Sequence, residues 1–377
     1  MYDAIVVGGG VVGLAAAYEL VCAGARALLV DRADEGRATA AGAGILAPES
    51  NSRDPDAWFD FAVVAVGYYP ELVARLAADG AGDTGYAVCG QLTVAVSADE
   101  VEPFAAARRL VFERQQRRGT PAPEDLRDVA PAEARAMFPA LAPVQAAFYY
   151  RGAARVDGRL LAAALRQAAA ARGLEVRQGS AERIVVRDGA AQGVVVDGEE
   201  LAGGAVAIAG GAWSPQLGDP LGVRIPVAPQ RGQIIHLELP GEETAGWPII
   251  TAFRGHYIVA WPGGRVVVGA TREAGAGFDV RATAAGVHEV LDEALRVAPG
   301  LAGATLREVR IGLRPATPDG LPVLGPAPGV RNLYLATGHG PTGLQLGPYS
   351  GKLTADLILG RQLAVDIAPF ALSRFSG

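Results

Sequence analysis

Ala4-Ile5-Val6-Val7 runs without a break into Gly8-Gly9-Gly10-Val11-Val12-Gly13. The first four residues are short, apolar and partly β-branched, the pattern of a strand buried on both faces. The next six form G-x-G-x-x-G. Good helix formers follow from Leu14 to Cys22, Gly24 stops them, and a second apolar run, Ala27-Leu28-Leu29-Val30, ends on Asp31. Strand, glycine turn, helix and acid-ended strand within about thirty residues form a dinucleotide-binding unit. Gly8 permits the tight turn, Gly10 lets a pyrophosphate approach the backbone, and Gly13 lets helix and strand pack closely. The N–H groups at Val11 and Val12 open the helix and face the phosphates, aided by its dipole. Asp31 accepts hydrogen bonds from a ribose. In a chain with 50 glycines the alternative is a purely structural turn.

That fingerprint serves NAD and FAD alike. Its continuation, Arg32 and then Arg37-Ala38-Thr39-Ala40-Ala41-Gly42-Ala43-Gly44-Ile45-Leu46, narrows the choice. A run of small residues brings backbone close to a flat ligand, and Thr39 offers a hydroxyl to phosphate; an ordinary flexible loop is the alternative.

Composition removes other chemistries. Of 377 residues 50% are hydrophobic and 20% charged, which excludes a disordered chain. Net charge is -6, which speaks against nucleic-acid binding. Four histidines, two cysteines (Cys22, Cys89) and one lysine, Lys352, show no metal-ligand spacing, CxxC pair or P-loop. No metal is expected. The apolar stretch from Ala4 to Tyr18 is too short to span a bilayer and lacks a basic flank, so a cytoplasmic chain without a membrane span is expected. A protein of this size and so few reactive side chains calls for a borrowed cofactor.

Further along, a helix is expected over Trp58–Ala78, a strand over Tyr86–Ser97, a charged helix over Asp99–Gly119, and loop with short helices over Thr120–Pro143. Asp157 caps a helix ending near Gly173. Short strands joined by Asp188-Gly189 and Asp197-Gly198 turns follow. Strand-to-glycine junctions recur at Ala205–Gly210 and Leu333–Gly338, so three separated segments can build one Rossmann-like domain.

With Asp31-Arg32, the small-residue run and Ala43-Gly44-Ile45-Leu46, the chain resembles the FAD-dependent D-amino-acid oxidase superfamily. It is most similar to glycine oxidases of the thiamine-pathway type and to sarcosine oxidases, with D-amino-acid dehydrogenases as cousins. The resemblance covers essentially the whole chain. It implies an α/β fold in which a Rossmann-like FAD-binding domain (1–85, 152–222, 312–377) is interleaved with a mixed, largely antiparallel α+β substrate domain (86–151, 223–311). FAD is expected to be non-covalent, because the cysteine that tethers it in some sarcosine oxidases has no counterpart in Ala316–Pro322.

The resemblance also implies site residues. Arg314, in Gly312-Leu313-Arg314-Pro315, is similar to the arginine that binds the substrate carboxylate, and Tyr257 to the tyrosine that helps hold it; a guanidinium suits a carboxylate because it donates two parallel hydrogen bonds. Gly338-His339-Gly340-Pro341-Thr342-Gly343-Leu344 resembles the segment over the flavin pyrimidine end, with His339 packing there rather than acting as a base. Gly210 and Trp213 are expected near the adenine or ribityl chain, and main chain around Glu182 near the adenine.

Two features depart from the glycine-oxidase pattern, a three-residue run and a single position. Gly340-Pro341-Thr342 stands where an aromatic-Arg-Asn run is usual, and Arg272 where an apolar residue is usual. Arg272 is either a replacement charge in the pocket or a surface salt bridge, and the identity of the amino acid or amine stays open. The expected reaction is oxidation of a small amino acid or secondary amine (glycine, sarcosine or a D-amino acid). Electrons pass to O2 with release of hydrogen peroxide or, in a dehydrogenase, to a quinone or partner subunit. An NAD dehydrogenase fits the run after Asp31 poorly, and a non-catalytic partner subunit fits Arg314 and Tyr257 poorly. Homo-oligomers are compatible with all of this.

Overall fold

The structure is a computed structural model that describes residues 1–53 and 55–375; the last two residues of the segment expected at 312–377 lie outside it. In chain order the elements that build the site are β1 (Tyr2–Val7), α1 (Val11–Cys22), β2 (Ala27–Asp31), α2 (Gly158–Ala171), β3 (Glu175–Gln178), β4 (Glu199–Ile208), β5 (Ala228–Glu238), β6 (Tyr257–Ala260), β7 (Arg265–Gly269), α3 (Ala284–Val297), β8 (Thr305–Ala316), β9 (Leu333–Thr337) and α4 (Gly343–Ile358).

The apolar runs read from the sequence form one parallel layer in the order β9-β4-β1-β2-β3. The chain lays β1, β2 and β3 outward on one side, then returns to add β4 and β9 on the other. The direction of winding therefore reverses between β1 and β4, where an open α/β sheet leaves a crevice at its carboxyl edge. The amino half of β4 leaves this layer and pairs antiparallel with Ala190–Val196, which pairs in turn with Ala181–Arg187. Both residues of the Asp188-Gly189 turn have positive φ, 52° and 70°, as a two-residue hairpin with the sheet's twist demands.

On one face of this layer α1 and α4 pack against each other. Every residue of α1 from Val11 to Val21 is buried, which explains its all-round apolar character. The two helices approach closely because Gly351 has no side chain: a Cβ there would stand 2.5 Å from the Val12 carbonyl oxygen and 2.7 Å from the Ala15 Cβ. Asp157 caps α2 as expected, its Oδ1 accepting the N–H groups of Arg159 and Leu160 at 2.9 and 3.3 Å.

The second layer runs β8-β5-β7-β6, then Ile249–Thr251, Gln91–Ala95, Ala146–Tyr150 and Leu126–Val129. All its pairs are antiparallel except Ile249–Thr251 with Gln91–Ala95. Ile235, Val266, Val268 and Ile258 pack from it onto Val290, Ala294 and Val297 of α3. The fold is thus α/β, a Rossmann-like parallel sheet interleaved with a mixed, largely antiparallel one. Strand β8 runs unbroken through position 312, where the sequence suggested a hand-over between the two.

Three elements differ from expectation. The helix over Trp58–Ala78 is two helices, Asp56–Gly67 and Tyr69–Ala78, because Pro70 opens a new first turn. Together they are long and apolar enough to span a bilayer; here Trp58, Phe59, Phe61, Tyr69 and Leu72 pack into the core around α1. The strand over Tyr86–Ser97 is interrupted at Gly90, whose φ is 75°, leaving Ala87–Val88 and Gln91–Ala95. Within Thr120–Pro143, Leu126–Val129 is an edge strand.

Candidate active site

The carboxyl ends of β1, β2, β4 and β9 open on one cavity, which β5, β6 and β8 of the second layer also line. Its first part is lined by the glycine turn (Gly8, Gly9, Gly10) and by Val11 and Val12 at the start of α1. Gly13 is not in the lining. It lies beneath, where a Cβ would overlap the Gly8 carbonyl oxygen, so its task is close packing. Asp31 and Arg32 line the same end, with Gly179, Ser180 and Ala181 of the β3 return. Glu182 lies just past this stretch, outside the lining, and its carboxylate accepts the Gly198 N–H at 3.1 Å.

Asp31 is not free for a ligand on all sides. Its Oδ2 accepts from Arg37 Nη1 at 3.0 Å, and Arg166 stands 3.6 Å away. Thr39 is also engaged, its Oγ1 accepting the Val11 N–H at 3.0 Å, so a side chain from the small-residue run satisfies the first donor of α1. Ala38, Ala43, Gly44 and Ile45 line the cavity beside it, and Gly210 and Trp213 line it from the end of β4.

From β9 the chain turns through Gly338, φ 74°, into α4. His339, Gly340, Pro341, Gly343 and Leu344 line the cavity; Gly338 and Thr342 do not. Gly338 faces Thr317, and the Thr342 hydroxyl donates to the His339 carbonyl at 2.9 Å. His339 is 2% exposed. Its Nε2 lies 2.9 Å from Ser350 Oγ, whose hydroxyl donates to the Leu346 carbonyl at 3.0 Å. Serine's proton is therefore directed away, so Nε2 carries the hydrogen. Burial drives the imidazole pKa down to about 4. His339 is a neutral, packed residue.

The second part of the cavity brings Arg314 of β8, Tyr257 of β6 and Arg272, just past β7, together. Arg314 Nη1 donates to the Thr271 carbonyl at 2.8 Å. Its guanidinium lies over Gly232 of β5, where any Cβ would overlap it. Tyr257 pairs across the sheet with Gly269 and stands over that glycine. Burial raises the Tyr257 pKa, with Arg314 and Arg272 pulling it back. Burial lowers that of Arg314; Tyr257 opposes the shift and Arg272 adds to it. His256, next to Tyr257, points the other way and meets Glu289 of α3 at 3.5 Å.

Sequence reasoning missed two contributors. Gly232 gave no signal, because its role appears only when β5 and β8 pair. Gln345 did give one, as a polar residue inside Leu344-Gln345-Leu346. It lines the cavity at 5% exposure, and its Nε2 has no hydrogen-bond partner among the described residues.

These features fit a dinucleotide with a flat ring. A buried amide donor without a partner faces a missing acceptor. At Gly211 and Gly340, which line the cavity with φ of 54° and 52°, a Cβ would point into open space. Among the described residues no group of three His, Cys, Asp or Glu side chains is placed to hold a metal.

Comparison with known proteins agrees with this geometry. A family model described as FAD dependent oxidoreductase matches residues 3–357. The chain is 39% identical over 373 residues to the uncharacterized oxidoreductase YurR of Bacillus subtilis, covering 98% of each. It is 35% identical to glycine oxidase of Pseudomonas aeruginosa, covering 97% of each. Among solved structures, iminodiacetate oxidase (IdaA) from Chelativorans sp. BNC1 superposes with a TM-score of 0.92 at 37% identity, covering 98% of each chain. With the glycine turn, the buried His339 and the β8 arginine all opening on one cavity, and a family model matching 3–357, the chain belongs to the DAO family of FAD-dependent oxidoreductases.

Proposed function

We propose that this flavoenzyme oxidises a small amine that carries a carboxylate, a class that includes glycine, sarcosine and D-amino acids. One observation carries the reading: Arg314 and Tyr257 line the same cavity as the glycine turn of β1. Similarity to a glycine oxidase and to an iminodiacetate oxidase supports it. Bound FAD would supply the acceptor for the hydride of the substrate α-carbon, and water would hydrolyse the resulting imine to a carbonyl and ammonia or a primary amine.

The chain's own residues bind and orient. Arg314 spends one N–H on Thr271 and meets the Tyr257 hydroxyl with another, which leaves the rest for a carboxylate whose plane they would fix. Tyr257 offers its hydroxyl beside that guanidinium. His339 takes no proton at neutral pH, because it is buried and held by Ser350. O2 is the proposed electron acceptor.

Anaerobic mixing of the FAD-loaded enzyme with glycine, sarcosine and D-alanine tests the proposal through bleaching of the flavin band. Hydrogen peroxide formed on readmitting air supports an oxidase. Bleaching reversed only by a quinone or dye makes it a dehydrogenase, and no bleaching by any carboxylated amine rejects the reading.

A further inference from the structure

Arg314 and Arg272 share an arrangement. Each guanidinium lies against a glycine that leaves it room, Gly232 for Arg314 and Gly255 for Arg272; a Cβ on Gly255 would stand 2.6 Å from Arg272 Nη1. Each spends one N–H on a backbone carbonyl, Arg314 on Thr271 at 2.8 Å and Arg272 on Gly255 at 2.6 Å. The two anchors are linked, since Thr271 precedes Arg272 in the chain. Both side chains line the same cavity, with Tyr257 feeling the charge of both.

Neither arginine has a carboxylate partner among the described residues. Other arginines of the same sheet do. Arg231, on β5 beside Gly232, pairs with Glu273 at 2.6 Å and with Asp279 at 2.8 Å. Glu273, the acid adjacent to Arg272, is taken up by Arg231, Gln233 and Thr271. Two like charges therefore face one cavity, and Glu273, whose charge reaches Arg314, makes its hydrogen bonds to other groups. Arg272 is exposed as well as lining the cavity, so a single carboxylate on Arg314 leaves its remaining N–H groups to water and open to a second carboxylate.

We infer that the substrate is a dicarboxylate amine: one carboxylate sits on Arg314 and Tyr257, and Arg272 binds the second and sets the preference for it. This rests on the proposed amine oxidation. A secondary amine with two carboxymethyl arms and an acidic D-amino acid share the required chemistry.

The test is kinetics of the FAD-loaded enzyme on iminodiacetate and D-aspartate, each set against its monocarboxylate counterpart, sarcosine and D-alanine. A charged hydrogen-bonded contact predicts a preference in kcat/KM of about 10- to 100-fold for at least one dicarboxylate. Preference for iminodiacetate assigns the secondary amine, and preference for D-aspartate the acidic amino acid. Arg272→Gln should collapse that ratio to within about 3-fold of unity, mainly through KM, and Arg272→Lys should restore part of it. Binding gives a second readout. Diglycolate, which has the two carboxylates but no amine, should perturb the flavin spectrum at lower concentration than methoxyacetate, and Arg272→Gln should remove the difference. Monocarboxylates turned over as well as dicarboxylates, or a preference that survives Arg272→Gln, overturns the inference while leaving amine oxidation standing. No bleaching by any of the four amines overturns both.

Discussion

The guanidinium of Arg314 lies on the backbone of Gly232, one strand away, in space that any side chain at 232 would take. Arg314 is held from the other side by the Thr271 carbonyl. Its position is therefore set by what its neighbours lack as much as by what they offer. Gly232→Ala should displace it and raise KM for carboxylated substrates roughly 10-fold, the loss of about one charged hydrogen bond. Steady-state kinetics, with the flavin spectrum as a check that FAD stays bound, measure this.

Arg314→Ala removes the guanidinium itself. The expected rise in KM is larger, about 10- to 100-fold for a lost bidentate charged contact. Bound FAD should be retained, because Arg314 belongs to β8 and not to the glycine turn or the start of α1. Unchanged KM would take Arg314 out of the substrate site.

Thr39 serves α1 before it serves any ligand. Thr39→Val keeps the shape but leaves the Val11 N–H without its 3.0 Å acceptor. A loss of about 1 kcal/mol in stability follows, the size of a removed helix cap. Thermal melts of the FAD-free protein should show a lower Tm, and FAD binding measured by fluorescence quenching should weaken.

Acid should destabilise the fold through His339. Above pH 6.5, its ordinary pKa, the imidazole is neutral folded or unfolded, and stability is at its full value. As pH falls from there towards about 4, the unfolded chain takes up a proton that the buried ring refuses, so unfolding gains ground. Below about 4 both states are protonated and the loss is complete, roughly 3 kcal/mol over the interval. Denaturant melts across this range should slope less steeply for His339→Gln.

Acid precipitation should release the flavin into the supernatant. Cys22 lies in α1 and Cys89 beside the Gly90 turn, while Ala316–Pro322 contains no cysteine. Colour retained in the pellet would contradict non-covalent FAD.

Much of the nucleotide half was legible because it is local. The G-x-G-x-x-G turn, the acid at the end of β2 and the apolar runs of β4 and β9 each show their role within a few residues. Arg314 and Tyr257 lie on different strands and Arg272 just past a third, and the family resemblance singled them out where periodicity could not. What stayed hidden depends on pairing between distant segments. Asp31 meets Arg37 and Arg166, Thr39 turns to Val11, and the Glu182 side chain is taken by Gly198. Gly232 matters only through the register that lays Arg314 across it.

The contact of Gly351 with Val12 and Ala15 has a consequence for the order of synthesis. The helix that leaves the ribosome first finds its partner only when residues near 350 arrive. At about 5–20 residues per second, the face of α1 that meets α4 stays uncovered for roughly half a minute, while Trp58, Phe59 and α2 reach its other sides sooner. The half-made chain lacks β4 and β9 as well, so the crevice for the cofactor does not yet exist. FAD therefore enters a nearly complete polypeptide, and until then the nascent chain depends on whatever shields the α4-facing side of α1.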